Sequence, residues 1–306
     1  GTFSIASQTG SGGVTINPGT GILSNYFAGD QVTIQYTTAG PCPNSSTVVV
    51  NVTNLDDASF TSSDFCASSV NTISGVATPG GTFSISSQTG SGGVTIAAGT
   101  GILSNYVAGD QVTIQYTTPA GGCQNSSTVV VNVLSLDDAS FTCGDYCVGG
   151  SNTISGVATP GGTFAIQSQT GSGTVTIAGG TGILSGGVAG DQITIEYTTA
   201  GTCPNSSTQV VNILPLDDAS FTSSDFCASS VNTISGVATP GGTFSIASQT
   251  GSGGVTIAGG TGILSNYFAG DQVTIQYTTA GPCPNSSTVV VNVLAPDDAT
   301  FNYSAA

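Results

Sequence analysis

The most reactive side chains in this sequence are its cysteines, and the composition around them limits their chemistry. There are eight of them, at Cys42, Cys66, Cys123, Cys143, Cys147, Cys203, Cys227 and Cys283. Because the chain contains no histidine, neither a Cys–His zinc site nor a Cys–His nucleophile can form. A zinc site made of cysteines alone would use C-x2-C pairs, which the sequence lacks. The cysteines therefore indicate disulfides formed in an oxidising compartment, and so a secreted or cell-surface protein.

Carboxylates are the other chemically active group. The chain has 16 Asp and Glu, no Lys or Arg, and a net charge of −16. General acid–base catalysis would depend on carboxylates or tyrosines alone, and a Ser-His-Asp triad cannot be built, so we do not expect an enzyme. Nothing in the chain can neutralise phosphates, which excludes nucleic acid as a partner. No apolar run approaches the roughly 18 residues of a spanning helix, so we expect no membrane-spanning segment.

Aspartates recur in pairs at the predicted module junctions: Asp56, Asp57, Asp137, Asp138, Asp217, Asp218, Asp297 and Asp298. Grouped carboxylates between domains can bind Ca²⁺ and stiffen an array, with Asp64, Asp145 and Asp225 as further ligands. The alternative is a solvated linker in which these acids form turns, because a good calcium site uses six or more oxygens. Single aspartates occupy the same turn in every copy, and we interpret them as turn formers: Asp30, Asp110, Asp191 and Asp271.

A module of about 80 residues, written nearly four times, positions these side chains. Residues 1–52 return at 242–293 with only Asn17 and Pro18 replaced, by Ala258 and Gly259. A second block that begins DDASF separates the copies. We predict a partial module at 1–54, complete modules at 55–135, 136–215 and 216–295, and the first strand of a next module, or a donor strand, at 296–306.

Alternating apolar residues predict strands inside each module. Val32, Ile34 and Tyr36 alternate with polar residues over 31–38, the period of a half-buried strand. Further strands are predicted at 2–7, 13–16, 22–23, 46–52, 58–61 and 70–76. Seven short strands in about 80 residues, with turn residues at close spacing, indicate an all-β antiparallel sandwich.

The order of motifs along the module carries a resemblance. DDASF, a cysteine, TPGGTF, GVTI, AGDQVTIQYTT, a second cysteine and NSSTVVVNV follow one another. This order resembles the immunoglobulin-like and PKD-like repeats of giant Bacteroidetes cell-surface proteins, among them gliding-type adhesins exported by the type IX pathway. The resemblance covers the whole chain. It implies a tandem array of antiparallel immunoglobulin-like β-sandwich modules, extracellular, with a structural or adhesive role in a rod or filament.

Two phasings of the disulfides stay open from the residues alone. Pairing within a module gives Cys66–Cys123, Cys147–Cys203 and Cys227–Cys283, and pairing across the boundary gives Cys42–Cys66, Cys123–Cys147 and Cys203–Cys227. The unit of the resembled family has one cysteine near each end, which favours the first phasing. On the chain-entropy model, closing a loop of that size stabilises the fold by about 4 kcal/mol.

A second candidate function is a carbohydrate- or surface-ligand-binding module displayed on the repeat stalk. An exposed aromatic cluster on one loop would favour it, and Asn25-Tyr26-Phe27 with its copies is the candidate. Gly186-Gly187 replaces this cluster in the third copy. The competing interpretation is that the aromatic residues pack beneath the turn.

The two ends of the sequence fall inside the repeat. Residues 297–306 fall on the register of the DDASF block at 56, and Gly1 begins after the first third of a module. Half a sandwich exposes strand edges and a bare core face. We therefore expect either a longer covalent array, or strand addition in which the tail of one subunit completes the next. Both arrangements predict end-to-end self-association in a linear polymer or array.

Overall fold

The computed structural model describes residues 1–303, and the regular elements in that range are all β-strands. The first repeat contains β1 (Thr2–Thr9), β2 (Thr15–Ile16), β3 (Leu23–Ser24), β4 (Gln31–Thr37) and β5 (Ser45–Asn51). The second contains β6 (Phe65–Cys66), β7 (Thr82–Thr89), β8 (Thr95–Ile96), β9 (Leu103–Ser104), β10 (Gln111–Thr117) and β11 (Ser126–Leu134).

The last two repeats have the same strands with two short additions each. The third contains β12 (Thr142–Cys143), β13 (Tyr146–Cys147), β14 (Ile154–Ser155), β15 (Thr163–Thr170), β16 (Thr176–Ile177), β17 (Leu184–Ser185), β18 (Gln192–Thr198) and β19 (Ser206–Leu214). The fourth contains β20 (Thr222–Ser223), β21 (Phe226–Cys227), β22 (Ile234–Ser235), β23 (Thr243–Thr250), β24 (Thr256–Ile257), β25 (Leu264–Ser265), β26 (Gln272–Thr278) and β27 (Ser286–Leu294). Two compact units hold these repeats, residues 1–136 and residues 137–306. The module boundaries predicted above stay predictions.

Each complete repeat is built on one four-stranded sheet. In the second repeat its order is β6-β11-β10-β7, with β10 antiparallel to both long neighbours. Val112, Ile114 and Tyr116 alternate along β10 and are at most 1% exposed. The predicted strand and its inward face are therefore confirmed in the complete repeats.

A second layer covers the inner face of this sheet. It consists of the short hairpin β8–β9 and the residues between Asp56 and Gly80, which we call the covering segment; its counterparts are residues 137–161 and 217–241. Phe60 of this segment packs edge-on against Phe83 at 5.5 Å and Tyr116 at 6.1 Å between ring centroids. These rings lie in one buried apolar cluster. The predicted all-β, two-layered module is confirmed.

The covering segment is less regular than predicted. Instead of strands at 58–61 and 70–76, the second repeat has a single bridge between Thr61 and Ser74. Its backbone is satisfied elsewhere: Asp57 Oδ1 accepts the Ser59 N–H at 2.9 Å, which curls the chain into a turn. Side-chain bonds of this kind compete with a strand ladder. The two-residue parallel strand at Phe65–Cys66, which joins the end of β11, was not predicted.

Candidate functional site at the repeat junctions

The tip of the long hairpin in each complete repeat holds the start of the covering segment. In the fourth repeat the Asp217 N–H donates to the Cys283 carbonyl at 2.8 Å. Asn285 Nδ2 donates to the Asp217 carbonyl at 3.1 Å, and the Ser287 hydroxyl donates to the Ala219 carbonyl at 2.6 Å. The second and third repeats repeat these bonds. The Asn-Ser-Ser sequence after the tip cysteine is therefore a docking edge for the covering segment, a role that the sequence did not indicate.

One disulfide joins the third repeat to the fourth. Cys147, at the end of β13, is bonded to Cys283, in the tip between β26 and β27, with a Cα–Cα distance of 5.4 Å. The bond ties the far end of one repeat to the near end of the following repeat, within the unit of residues 137–306.

Pairing within a module, which the family resemblance favoured, is wrong. Cys147 lies beside Leu214, the last residue of β19, whereas Cys203 precedes Ser206, its first residue. A strand of nine residues separates the two cysteines by about 28 Å. A disulfide tolerates only about 4.4–6.8 Å between Cα atoms. One cysteine near each end of the module is therefore suited to bonds between modules.

The remaining cysteines divide into two classes. Cys66 and Cys203 are also disulfide-bonded. The free cysteines in the described part of the chain are Cys42, Cys123, Cys143 and Cys227. The predicted bonding of Cys123 and Cys227 is therefore wrong, and the pairs of the second phasing do not form either. Burial raises the pKa of the Cys143 thiol, whose sulfur accepts a hydrogen bond from Asn152 Nδ2 at 3.3 Å.

The paired aspartates are occupied by local hydrogen bonds. Asp217 Oδ2 accepts the Thr279 hydroxyl at 2.9 Å. Asp218 Oδ1 accepts the Ser220 N–H at 2.9 Å, and this backbone bond lowers the pKa of the Asp218 carboxyl. The pair therefore shapes the turn at the start of the covering segment.

The further acids proposed as calcium ligands lie at the other end of the repeat. Asp225 Oδ1 accepts the Asn292 N–H at 2.7 Å, near the end of β27. Among residues 1–303 no group of three or more His, Cys, Asp or Glu side chains could hold a metal ion. The residues thus do not by themselves form the site predicted at Asp56, Asp57, Asp137, Asp138, Asp217, Asp218, Asp297 and Asp298. Calcium binding there stays a prediction.

The first repeat leaves part of its inner sheet face open to solvent, although Val32 on that face is buried. Its sheet has only three strands, in the order β1-β4-β5. The rings of Phe3 and Tyr36 pack 4.7 Å apart, yet Tyr36 is 36% exposed and Val48 is 64% exposed. In the second repeat the counterpart of Tyr36, Tyr116, is 1% exposed. This open face has the shape and the apolar residues that the covering segment meets in later repeats.

Residues 297–303 present the start of a covering segment in exposed form. Asp298 Oδ1 accepts the Thr300 N–H at 2.8 Å, the same turn that Asp218 forms with Ser220. Phe301 occupies the register position of the buried Phe221 and is 84% exposed. The described residues therefore include a partly exposed apolar sheet face in the first repeat and an exposed segment with the sequence pattern of a covering segment.

A buried aspartate organises the turn before the central strand of every repeat. Asp271 accepts the Ser252 N–H at 2.6 Å, the Ser252 hydroxyl at 2.7 Å and the Phe268 N–H at 2.8 Å. These bonds lower the pKa of its carboxyl. Gly251 has a φ of 105°, and a Cβ there would collide with the carboxylate. Asp30, Asp110 and Asp191 make the same bonds. The predicted turn role is confirmed.

The tyrosine of the aromatic loop is a packing residue in two of the repeats. The Tyr267 ring stands edge-on to Phe226 at 4.9 Å, and its hydroxyl donates to the Ser230 carbonyl at 2.5 Å. Tyr106 does the same in the second repeat. The competing interpretation, packing beneath the turn, is confirmed for these tyrosines. Phe268, beside Tyr267, is 66% exposed.

The third repeat has a cleft where this tyrosine is missing. Gly187 replaces Tyr267, Gly150 replaces Ser230 and Tyr146 replaces Phe226. The cleft has a volume of about 360 Å³ and is lined by residues 149–151 and 183–187. In the described structure the hydroxyl of Tyr146 is buried and has no hydrogen-bond partner. Two of these three substitutions, Gly187 and Gly150, line the cleft.

Comparison with known proteins places the chain in no family. No protein-family model matches it, and no curated protein matches it. Among solved structures it is similar to cadherin domains 3–6 of protocadherin gamma B2, with 12% identity, a TM-score of 0.25, and 97% of this chain and 92% of that chain covered. It is also similar to Drosophila N-cadherin domains 1–4, with 12% identity, a TM-score of 0.23, and coverage of 97% and 92%. Human desmocollin-1 gives 15% identity, a TM-score of 0.21, and coverage of 99% and 73%. Scores this low carry no argument about this chain.

Within residues 1–303 there is no helix long and apolar enough to cross a membrane.

Proposed function

We propose that this chain is an extracellular structural repeat protein that assembles end to end into a rod or filament on the cell surface. One observation carries the proposal: the open face of the first repeat matches the exposed segment at residues 297–303. The start of the covering segment on one copy would pack on the open part of the inner sheet face of the next copy. A longer covalent array would supply the same segment from a preceding repeat, and the product is linear in both cases.

The fourth repeat provides the template for this contact. There Phe221 packs against Phe244 at 5.4 Å and Tyr277 at 6.1 Å. Phe301 would take the place of Phe221 and pack against Phe3 and Tyr36 of the next copy. Burying a phenylalanine fully is worth about 1.5–3 kcal/mol, so the exposed ring supplies a driving force for association.

Polar groups that dock the covering segment are also present on the first repeat. Asn285 and Ser287 hold the segment in the fourth repeat, and Asn44 and Ser46 occupy the same positions in the first. We expect Asn44 Nδ2 to bond the Asp297 carbonyl of the previous copy, as Asn285 bonds Asp217. Specific hydrogen bonds of this kind, from side chains to main-chain carbonyls, distinguish a docked segment from nonspecific apolar contact.

Location and role follow from the chemistry of the chain. Disulfide bonds persist in oxidising compartments, which supports a place outside the cell. Modules linked in a row and cross-bridged by cystine suit a load-bearing or adhesive structure. The chain lacks the His, Lys and Arg that most catalytic sites use, so we assign no enzymatic step to it.

The test is sedimentation velocity of the 306-residue chain under reducing conditions, as a function of concentration. We expect head-to-tail oligomers that grow with concentration, and we expect Phe301→Asp to abolish them because a charge would enter the apolar face. Asn302→Asp is the matched control, because it adds the same charge at the neighbouring residue. Asn302 has the register position of Thr61, which is exposed in the second repeat. A monomer at all concentrations, or equal loss with both variants, would contradict the proposal.

A second candidate function rests on the cleft of the third repeat. We propose that it binds a surface ligand through an aromatic ring that carries a hydroxyl group, because Tyr267 shows what fills this space in the fourth repeat. The hydroxyl of the ligand would donate to the Gly150 carbonyl, as the Tyr267 hydroxyl does to the Ser230 carbonyl.

The probe for this second function is p-cresol, with binding followed by NMR. We expect one site in the parent chain and none after Gly186→Asn with Gly187→Tyr, which restores the residues found at Asn266 and Tyr267. Tyr267→Gly should open a second site. If neither change alters p-cresol binding, the ligand does not bind in the cleft of the third repeat.

A further inference from the structure

The observed disulfide defines two register positions that face each other where one repeat follows another. One is the end of the two-residue parallel strand, held by Cys147, which pairs with the end of β19. The other is the tip of the next long hairpin, held by Cys283. The bond needs no distortion of either repeat, since the 5.4 Å between its Cα atoms is within the usual range for a disulfide.

Two free cysteines hold the same positions at the two ends of the repeat array. Cys227 ends β21, whose pairing with Val293 and Leu294 copies the pairing of β13 with β19. Cys42 lies in the tip between β4 and β5, which have the register of β26 and β27. Both Cys227 and Cys42 are free and exposed. Cys227 therefore occupies the position that Cys147 has in the observed disulfide, and Cys42 occupies the position of Cys283.

We propose that Cys227 of one copy forms a disulfide with Cys42 of the next copy at every junction of the assembly. This inference rests on the head-to-tail contact of the proposed function, because that contact places the first repeat of one copy directly after the fourth repeat of another. The junction between copies would then reproduce the junction between the third and fourth repeats. Self-assembly would be followed by a covalent lock.

The bond forms by thiol–disulfide exchange with a small oxidised disulfide of the compartment, such as oxidised glutathione. The thiolate of one cysteine attacks this disulfide, forms a mixed disulfide and expels one reduced thiol. The second protein thiolate then attacks the protein sulfur of the mixed disulfide and expels the other thiol. The two protein cysteines lose two electrons and two protons, and the oxidised reagent becomes two reduced thiols.

The other two free cysteines are internal controls. Cys123 also lies in a hairpin tip, but its junction is inside one chain, where its sulfur lies 2.7 Å from the Thr53 hydroxyl. Cys143 is half-buried within the third repeat and bonded to Asn152. We therefore expect titration with a thiol reagent to detect four thiols per chain before assembly and two afterwards.

The experiment uses complementary variants in a Cys123→Ser, Cys143→Ser background, oxidised with glutathione and separated on non-reducing gels. The background chain should give a ladder of covalent oligomers. Cys42→Ser alone and Cys227→Ser alone should remove the ladder. Mixing these two variants should give dimers only, because one Cys227 and one Cys42 remain to form a single bond. Peptide mass spectrometry should identify Cys42 joined to Cys227.

Several results would overturn the inference. A ladder that persists in either single variant, or dimers joined through two copies of the same cysteine, would show random oxidation of exposed thiols. Sedimentation under reducing conditions separates this failure from that of the proposed function. Non-covalent oligomers without the Cys42–Cys227 bond would support the head-to-tail assembly and reject the disulfide. A strict monomer would reject both.

Discussion

The first and fourth repeats contain nearly the same 52 residues in two different surroundings. Only Asn17 and Pro18 differ between residues 1–52 and 242–293. Strands β1 and β4 pair in the same register as β23 and β26, with a bulge at the same place. Exposure, by contrast, differs widely, from 36% for Tyr36 to 1% for Tyr277. The fourth repeat carries a covering segment on its inner sheet face, and within residues 1–303 the first repeat has none.

This comparison shows that the pairing of the strands and the burial of their apolar face depend on different parts of the sequence. The register of the long hairpin follows from the sequence of the repeated 52 residues, because it forms identically with and without a covering segment. Burial of the apolar face depends on residues of the DDASF block, which lie outside the repeated 52. The sheet of a repeat is therefore buried on its inner face where the DDASF block that precedes it in the chain packs on it, as in the second, third and fourth repeats.

The largest expected effect comes from removing the covering ring. Phe221→Ala should lower the opening free energy of the fourth repeat by about 3–5 kcal/mol, because it empties a packed core position. Phe301→Ala should change the isolated monomer by less than about 0.5 kcal/mol, because that ring is exposed. Hydrogen exchange of β26 and β27, read by mass spectrometry under reducing, dilute conditions, measures both. Equal effects of the two changes would mean that Phe221 is not a core residue.

A second difference between the repeats is the disulfide that ties the fourth to the third. Replacing Cys147 and Cys283 by serine should destabilise residues 137–303 by about 2–4 kcal/mol, the usual value for a native disulfide. Residues 1–136 should unfold as before, which provides the internal reference in the same melting curve. EDTA should have a smaller effect than this change. A larger drop in melting temperature with EDTA would restore the calcium site as the main stabiliser.

Removing the Tyr277 hydroxyl should have a smaller effect on stability. The Tyr277 hydroxyl accepts the Gly242 N–H at 2.8 Å and donates to the Thr239 carbonyl at 2.6 Å. Tyr277→Phe leaves both groups unsatisfied in a buried place and should cost about 1–3 kcal/mol. Tyr36→Phe, at the same register position in the first repeat, should cost almost nothing until a second copy covers it. Urea denaturation of the monomer gives both values, and a large effect of Tyr36→Phe would show that its face is already closed.

Local patterns in the sequence were sufficient for some of these features. The alternation of Val32, Ile34 and Tyr36 predicted a central strand with one inward face, and the recurrence of Asp30 predicted a turn. Both depend on contacts inside one copy of the repeated 52 residues. The first repeat therefore keeps its sheet without a covering segment.

Features that depend on distant partners were not predictable in the same way. The bond from Ser287 to Ala219 spans 68 residues, and no pattern in Asn-Ser-Ser reveals it. Cys147 and Cys203 lie at opposite ends of β19, so the length of this strand keeps them too far apart to bond. The sequence does not show which end of the strand each cysteine is near. The parallel pair at Phe65–Cys66 is two residues long, too short for any periodic signal.

The last prediction is an effect that should be the same in both repeats. The carboxylates of Asp30 and Asp271 accept their hydrogen bonds from a serine and a phenylalanine inside the repeated 52 residues, so the covering segment should not alter these bonds. Asp30→Asn and Asp271→Asn should each loosen that turn by a similar amount at neutral pH, since an amide offers one acceptor oxygen where the carboxylate offers two. Hydrogen exchange of Ser11 and Ser252, whose N–H groups the carboxylates accept, measures the loss in each repeat.

The stability of both aspartate turns should depend on pH. The hydrogen bonds lower the pKa of Asp30 and Asp271 in the folded protein, while an unfolded aspartate titrates near about 3.9. The stabilisation is therefore complete above that value and is lost as the pH falls through the lowered pKa of the folded state. Protection of both turns should decline together below about pH 4, and the Asn variants should lose this dependence. If only the fourth repeat declined, the covering segment would be part of the turn, and the separation of local sheet from supplied core would not hold.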